Sequence, residues 1–307
     1  LIVPITFKTQ SSKLMEQKVL TGLKADVYEH PFDRKALASL EKMPGVSLLL
    51  KKINEYGIDR LLRLQCFGNE IRVTPRNFPY LHKSFVETCQ ILEVEPLPEL
   101  YLFRGTGYIQ TYTIGVEKPL VSINLEGMEW LSPEELLFVL GHEIAHIKSQ
   151  HLLYHQTAII LPSLKTFLSN TTLGLGGLLA SGVELALYNW LMMAKFTSDR
   201  AGLLACQDVE VATTAMMKLA GLPREYMSTE ILEDFKAQAR EFSTESFNNL
   251  DKIAKMLSFM EYKFSWAIMR ASELLKWVDS GEYEALLQHN NLPEMGETED
   301  WTFSDSW

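Results

Sequence analysis

The segment over residues 132–147 constrains this chain more than any other part of the sequence. Ser132, Pro133 and Glu135 mark the beginning of a helix: the serine can cap free amides, proline suits the first helical position, and the glutamate completes a capping box. Apolar residues follow at helical spacing, namely Leu136, Leu137, Val139, Leu140, Ile144 and Ile147. The sequence therefore predicts a helix with a wide buried surface.

His142, Glu143 and His146 lie within this predicted helix. Residues four apart on an α-helix project in nearly the same direction, so both imidazoles face one point. Zinc accepts neutral imidazole nitrogen, and a catalytic zinc site keeps one position for water. Glu143 is placed to reach that water and take its proton. The pattern predicts a zinc site with two histidine ligands and Glu143 as the general base.

A second histidine pair, His151 and His155, has the same spacing. We predict one helix over 133–155, and on it His151 projects to the face roughly opposite His142. The second pair is therefore expected at a solvated helix end, away from the metal.

The rest of the sequence predicts a mostly helical α+β fold. Three β-rich runs over 100–104, 108–114 and 120–125 predict a small antiparallel sheet packed beside the motif helix, and 70–74 is a further short strand. Helical patterns cover 35–64, 80–92 and most of 133–289. We divide the chain into a lead-in with helices over 1–70, a domain with the histidine motif over 71–290, and an acidic aromatic tail over 291–307.

Composition restricts the partners and the compartment. The formal net charge of −10 argues against nucleic acid as a partner, because phosphate binding needs a basic surface. Three widely spaced cysteines predict reduced thiols in a reducing compartment. The apolar segment over 166–194 is interrupted by Glu184 and diluted by polar residues and glycines. It predicts a buried helix pair or peripheral membrane contact rather than a spanning helix.

Several motifs resemble those of the HtpX and CaaX-prenyl-protease-like gluzincin metallopeptidases, the forty-eighth metallopeptidase family, and most of all its soluble bacterial and plastid subgroup. The similarity implies a gluzincin-type domain that uses zinc and cleaves proteins or peptides internally. The matching segments are His30–Asp33, Leu97–Tyr101, Gly141–Ile147, Ser198–Ala205, Arg270–Trp277 and Gly281–Tyr283.

The sequence departs from this family at the third zinc ligand. The resemblance implies a glutamate four residues before Asp199, and this chain has Lys195 there. A lysine ammonium has no lone pair and repels a zinc ion. The resemblance gives Asp199 the role of orienting a histidine, and Asp199 is also the leading substitute ligand, ahead of Glu184. Further departures stand at Met192, at Gln110–Thr111 and at 264–266.

Two functional hypotheses follow from these residues. In the first, zinc binds His142 and His146 with Asp199 as substitute ligand, and the protein is a metalloendopeptidase that holds its substrate along the exposed edge of the sheet. In the second, the Lys195 ammonium takes the metal's place, paired with Glu143 and Asp199. The protein is then a metal-free pseudopeptidase that serves as a scaffold or binding subunit. The intact histidine motif favours the enzyme by a small margin.

Overall fold

The computed structural model of the chain describes residues 17–169, 182–244 and 266–288. The predicted tail over 291–307 lies outside these residues, as do residues 1–16 and residues 170–181 of the apolar segment. The division into a lead-in, a main domain and a tail stays a prediction.

Short helices precede the sheet, and local sequence signals mark where they begin. Pro31 occupies the first turn of the first helix, and His30 Nδ1 accepts a hydrogen bond from the Phe32 amide at 3.1 Å. Gly45 and Gly57 adopt positive φ angles of 94° and 63° ahead of the next two helices. The elements are α1 (Pro31–Glu41), α2 (Val46–Glu55), α3 (Ile58–Asn69), β1 (Ile71–Arg72) and α4 (Pro79–Ile91).

The sheet has four strands within the described residues, in the order β1-β2-β4-β3. The strands after β1 are β2 (Glu99–Phe103), β3 (Thr111–Ile114) and β4 (Leu120–Asn124). Because the chain crosses to the far edge to form β3 and then returns between β2 and β3, β4 pairs parallel with β2. The other two pairings are antiparallel. The mostly helical α+β class is confirmed, and the sheet is mixed rather than wholly antiparallel.

The motif helix forms as the sequence predicts. After α5 (Leu125–Trp130), α6 (Pro133–Lys148) begins with a complete capping box. Ser132 Oγ accepts from the Glu135 amide at 3.2 Å, and Glu135 Oε2 accepts from the Ser132 amide at 2.6 Å. The helix packs against β3 on one face of the sheet, while α3 contacts β3 as well. Its histidines and its glutamate are therefore buried.

The helix predicted over 133–155 is two helices. The chain turns after Lys148, Gln150 has a φ of 57°, and α7 (Leu152–Ser169) leaves in a new direction. His151 and His155 are only 1% and 8% exposed, so the predicted solvated position for this pair is wrong. Projecting residues around one helix axis fails here, because that axis ends before His151.

A long helix, α8 (Val183–Cys206), crosses α6 and carries both Lys195 and Asp199. This helix continues without a break past residue 194, where the apolar segment of the sequence ends. The remaining helices are α9 (Val209–Leu219), α10 (Thr229–Thr244), α11 (Ala267–Asp279) and α12 (Glu282–Gln288). None of the helices in the described ranges is both long enough and apolar enough to cross a membrane.

Two glycines bring α6 and α8 close together. A methyl group at Gly141 would lie 2.7 Å from Ala205 Cβ, and one at Gly202 would lie 2.6 Å from the Phe138 carbonyl oxygen. Real Cβ atoms do not approach other atoms this closely, so the crossing depends on both glycines. This crossing places the histidines of α6 beside the polar residues of α8.

We expect Gly202→Ala to destabilise the fold by about 1–3 kcal/mol, because its methyl group forces α6 away from α8. The measurement is the midpoint of urea unfolding. Gly68→Ala is the matched control: its Cβ would meet no atom within 4 Å, so a helical alanine there should be neutral or stabilise by up to about 1 kcal/mol. Equal midpoints for the two variants would contradict the close crossing.

Candidate functional site

His142 is held by a buried carboxylate from α8. Its Nδ1 lies 2.8 Å from Asp199 Oδ1, and Arg270 Nε donates to Asp199 Oδ2 at 2.8 Å. Burial alone would raise the pKa of Asp199, but the Arg270 guanidinium and the His142 hydrogen bond lower it to about 2. An ionised carboxylate can only accept, so we assign the proton to His142 Nδ1. This leaves His142 Nε2 as an acceptor.

Asp199 is therefore occupied by other partners. Its two oxygens accept from His142 and from two nitrogens of Arg270. These contacts match the orienting role that the family resemblance gives to Asp199, and they leave it poorly placed to act as a substitute metal ligand. Glu184, the weaker candidate for a substitute ligand, lies eleven residues before Lys195 on α8. This separation corresponds to about 16 Å along the helix axis, which places Glu184 far from Lys195.

Glu143 is held by two threonines of the edge strand β3. Thr111 Oγ1 donates to Oε1 at 2.6 Å, and Thr113 Oγ1 donates to Oε2 at 2.5 Å. No role at the site was predicted for either threonine, although Thr111 belongs to a pair at which the sequence departs from the family. Because side chains alternate along a strand, Thr111 and Thr113 lie on one face of β3. This alternation is the sequence signal that could have identified them. The carboxylate is buried and fixed in orientation.

His146 lies among other imidazoles. Its Nδ1 is 3.3 Å from His151 Nδ1, its Nε2 is 3.4 Å from Ser198 Oγ, and its ring centroid is 4.3 Å from that of His155. Burial, together with the neighbouring imidazoles and Lys195, holds the pKa of His146 well below its usual value. Burial likewise lowers the pKa of His155 to about 3. Both side chains are therefore neutral at pH 7.

Lys195 is partly exposed and stands one helical turn before Asp199. Burial and the Arg270 charge lower its pKa to about 8, against the opposing attraction of Asp199 and Glu143. The side chain is thus mainly an ammonium at pH 7. Within the described ranges, no carboxylate lies within 4 Å of its amine. The predicted direct pairing of Lys195 with Glu143 and Asp199 is therefore absent, because both acids already have other partners.

The donor groups do not complete a three-ligand zinc site. His142 and His146 lie side by side with ring centroids 5.4 Å apart, and Lys195 stands where the third ligand is expected. In the part of the chain that the structure describes, no three His, Cys, Asp or Glu side chains are grouped so that they could hold a metal ion. A catalytic zinc site needs three protein ligands and a water position. These residues therefore do not fit zinc in the usual way.

Comparisons with known proteins agree with the motif helix. A model of the family described as peptidase family M48 matches residues 75–244. The chain is 30% identical over 271 residues to the plastoglobule-localized metallopeptidase 48, chloroplastic, of Arabidopsis thaliana. That alignment covers 88% of this chain and 77% of the relative. No solved structure is significantly similar. The family match includes all five predicted site residues, namely His142, Glu143, His146, Lys195 and Asp199.

Lys195→Met should stabilise the protein at pH 7 by about 1–3 kcal/mol, because it removes a charge that burial disfavours. The pKa of Lys195 is lowered to about 8 in the folded protein, from 10.5. The unfolded chain therefore binds more protons between these values, and the unmodified protein gains stability as pH rises through this window. The advantage of Lys195→Met should accordingly shrink between pH 7 and pH 10 in thermal unfolding.

Lys83→Met is the control for this prediction, since Lys83 is exposed on α4. Its effect on stability should be small, because the side chain lies in water. A pH-independent effect of Lys195→Met would show that the ammonium is not penalised by its surroundings.

Proposed function

Because this chain belongs to peptidase family M48, as its motifs predicted, we propose that it keeps the polypeptide-binding fold of a metallopeptidase but holds a lysine ammonium in place of zinc. In this proposal it is a pseudopeptidase, which binds a polypeptide or a protein partner without cleaving it. The family still assigns the chain to a metallopeptidase class of hydrolase. The proposal concerns the finer question of what this particular site does.

Lys195 is the observation that carries this proposal. It places a positive charge at the position of the third ligand, where a zinc site needs an electron-pair donor. The nearby acids do not compensate: Asp199 bonds His142 and Arg270, and Glu143 bonds two threonines. One cation thus stands where another is expected, among the same neutral imidazoles and carboxylates.

The edge of the sheet beside Glu143 supports polypeptide binding. The Asn124 amide donates to the Gln110 carbonyl at 3.0 Å. With the register of the two strands, this bond shows which residues of β3 direct their backbone groups towards β4. Alternate residues of an antiparallel strand point their amides and carbonyls to opposite sides. The backbone groups of Thr111 and Thr113 therefore face away from β4, towards the outer edge of the sheet.

Part of this edge is already closed by α7. His155 Nδ1 lies 3.2 Å from the Thr113 carbonyl oxygen, and the Gly115 amide donates to Gln156 Oε1 at 3.3 Å. An added strand can thus pair with Thr111 but cannot continue past Thr113. The predicted binding of a polypeptide along the sheet edge is therefore restricted to the beginning of β3.

A plastid location also belongs to this proposal. Two observations support it. The thiols of Cys66, Cys89 and Cys206 are all free and buried, as expected in a reducing compartment. The relative from Arabidopsis thaliana is named as chloroplastic. The relative's name also says that it is localized to plastoglobules. Whether this chain contacts a lipid surface through 166–194 stays a prediction.

The zinc content of the purified protein tests the proposal most directly. After incubation with zinc and desalting, elemental mass spectrometry should find no retained zinc in the unmodified chain. Lys195→Glu should bind about one zinc per chain, because it supplies the carboxylate ligand. Lys195→Gln is the matched control: it removes the charge without adding a carboxylate, and it should bind zinc less tightly. About one zinc in the unmodified chain, lost in His142→Ala, would contradict the proposal.

A zinc metalloendopeptidase is the second candidate, and one observation favours it. Asp199 orients His142, and two threonines fix the orientation of Glu143, as an active site would require. Under this candidate the unmodified chain cleaves an unfolded protein such as casein. Glu143→Gln should then lower cleavage by about 10²–10⁴-fold while leaving zinc content unchanged, since Glu143 would act as the base. Undiminished cleavage by Glu143→Gln would exclude this role.

A further inference from the structure

A buried carboxylate from the first helix lies behind the motif helix. Asp33 on α1 is fully buried; its Oδ1 accepts from Trp190 Nε1 at 2.9 Å and its Oδ2 accepts from Thr197 Oγ1 at 2.6 Å. The Thr197 hydroxyl also accepts from the His30 amide, so its own hydrogen is free for Asp33. Asp33 is therefore surrounded by groups that donate to it.

His151 connects Asp33 to the motif. Its Nε2 lies 3.2 Å from Asp33 Oδ2, and its Nδ1 lies 3.3 Å from His146 Nδ1. All three side chains are at most 2% exposed, so water does not compete for these contacts. The result is a continuous buried chain from α1 through the turn between α6 and α7 to the second histidine of the motif.

We propose that Asp33, acting through His151, is a positioning residue that fixes the tautomer of His146. The Asp33 carboxylate accepts, so His151 carries its proton on Nε2. A His151 ring that carries its single proton on Nε2 has a lone pair on Nδ1, and this lone pair must accept from His146. His146 consequently carries its proton on Nδ1 and presents Nε2 as an acceptor towards Ser198 on α8.

This arrangement puts the proton on the same ring nitrogen, Nδ1, in both motif histidines. Asp199 holds the proton of His142 on Nδ1 directly, and Asp33 does the same for His146 through one intervening imidazole. Both rings of the candidate functional site therefore carry the proton on Nδ1 and leave Nε2 as an acceptor. The inference holds whether the cation of that site is the Lys195 ammonium or a metal, so it does not depend on the proposed function.

The test is a long-range proton–nitrogen NMR correlation spectrum of the ¹⁵N-labelled full chain at pH 7. Such a spectrum distinguishes a protonated ring nitrogen from one with a lone pair. In the unmodified protein, both His142 and His146 should carry the proton on Nδ1. A proton on His146 Nε2 would overturn the proposal, and it would indicate that His151 is doubly protonated and donates to His146.

Asp33→Asn is the decisive variant. The asparagine amide can donate to His151 Nε2, which moves the His151 proton to Nδ1 and reverses the hydrogen bond to His146. We expect His146 to change from predominantly Nδ1-protonated to predominantly Nε2-protonated, while His142 stays unchanged. Asp199→Asn is the matched control, since it should change His142 and leave His146 as it was. An unchanged His146 in folded Asp33→Asn would refute the positioning role.

A purely structural role for Asp33 predicts lower stability without a selective change of tautomer. If circular dichroism shows that Asp33→Asn does not fold, His151→Phe provides the second comparison, because it removes the connecting imidazole and keeps an aromatic ring. His146 should then show a mixture of both tautomers. A pure Nδ1-protonated His146 in folded His151→Phe would show that neither His151 nor Asp33 sets it.

Discussion

The close crossing of α6 and α8 is the contact on which the site depends. Gly141 and Gly202 let the two backbones approach, and the polar side chains on either side of the crossing then come within hydrogen-bonding distance. His142 meets Asp199, and His146 lies beside Ser198. Neither pair is close in sequence, so both contacts exist only because the helices pack tightly. The apolar core thus determines the geometry of the polar site.

Charge is distributed unusually at this crossing. A lysine in place of a glutamate changes the local charge by two units and adds a cation beside the buried Arg270. The imidazoles of His146 and His155 are held neutral, the Asp199 carboxylate is held ionised, and Glu143 accepts from two threonines. Under the proposed function, a site of this composition attracts negatively charged or strongly polar groups, such as the carbonyls of a bound peptide, more readily than it attracts a dication.

Sequence reasoning located α6, its capping box and all four strands, because these features depend on local signals such as proline, serine and alternating hydrophobicity. It failed where distant parts of the chain decide the outcome. The break after Lys148 has no glycine or proline; Gln150 adopts a positive φ instead. The parallel pairing of β2 with β4 depends on strand order. Alternation along β3 places both threonine partners of Glu143 on one face, but no spacing rule says which helix that face meets, and the Asp33 partner of His151 comes from the distant α1.

The turn between α6 and α7 joins two parts of the site that are otherwise separate. His151, directly before α7, touches the second motif histidine, and His155, in the first turn of α7, bonds the edge of the sheet at Thr113. The His155 amide also donates to the His151 carbonyl, so the two residues are joined at the beginning of α7. Any displacement of α7 would therefore open the edge strand and loosen the imidazole together. Binding on α7, far from the motif, would in this way alter both the length of β3 that is open to an added strand in the proposed function and the chemistry beside it.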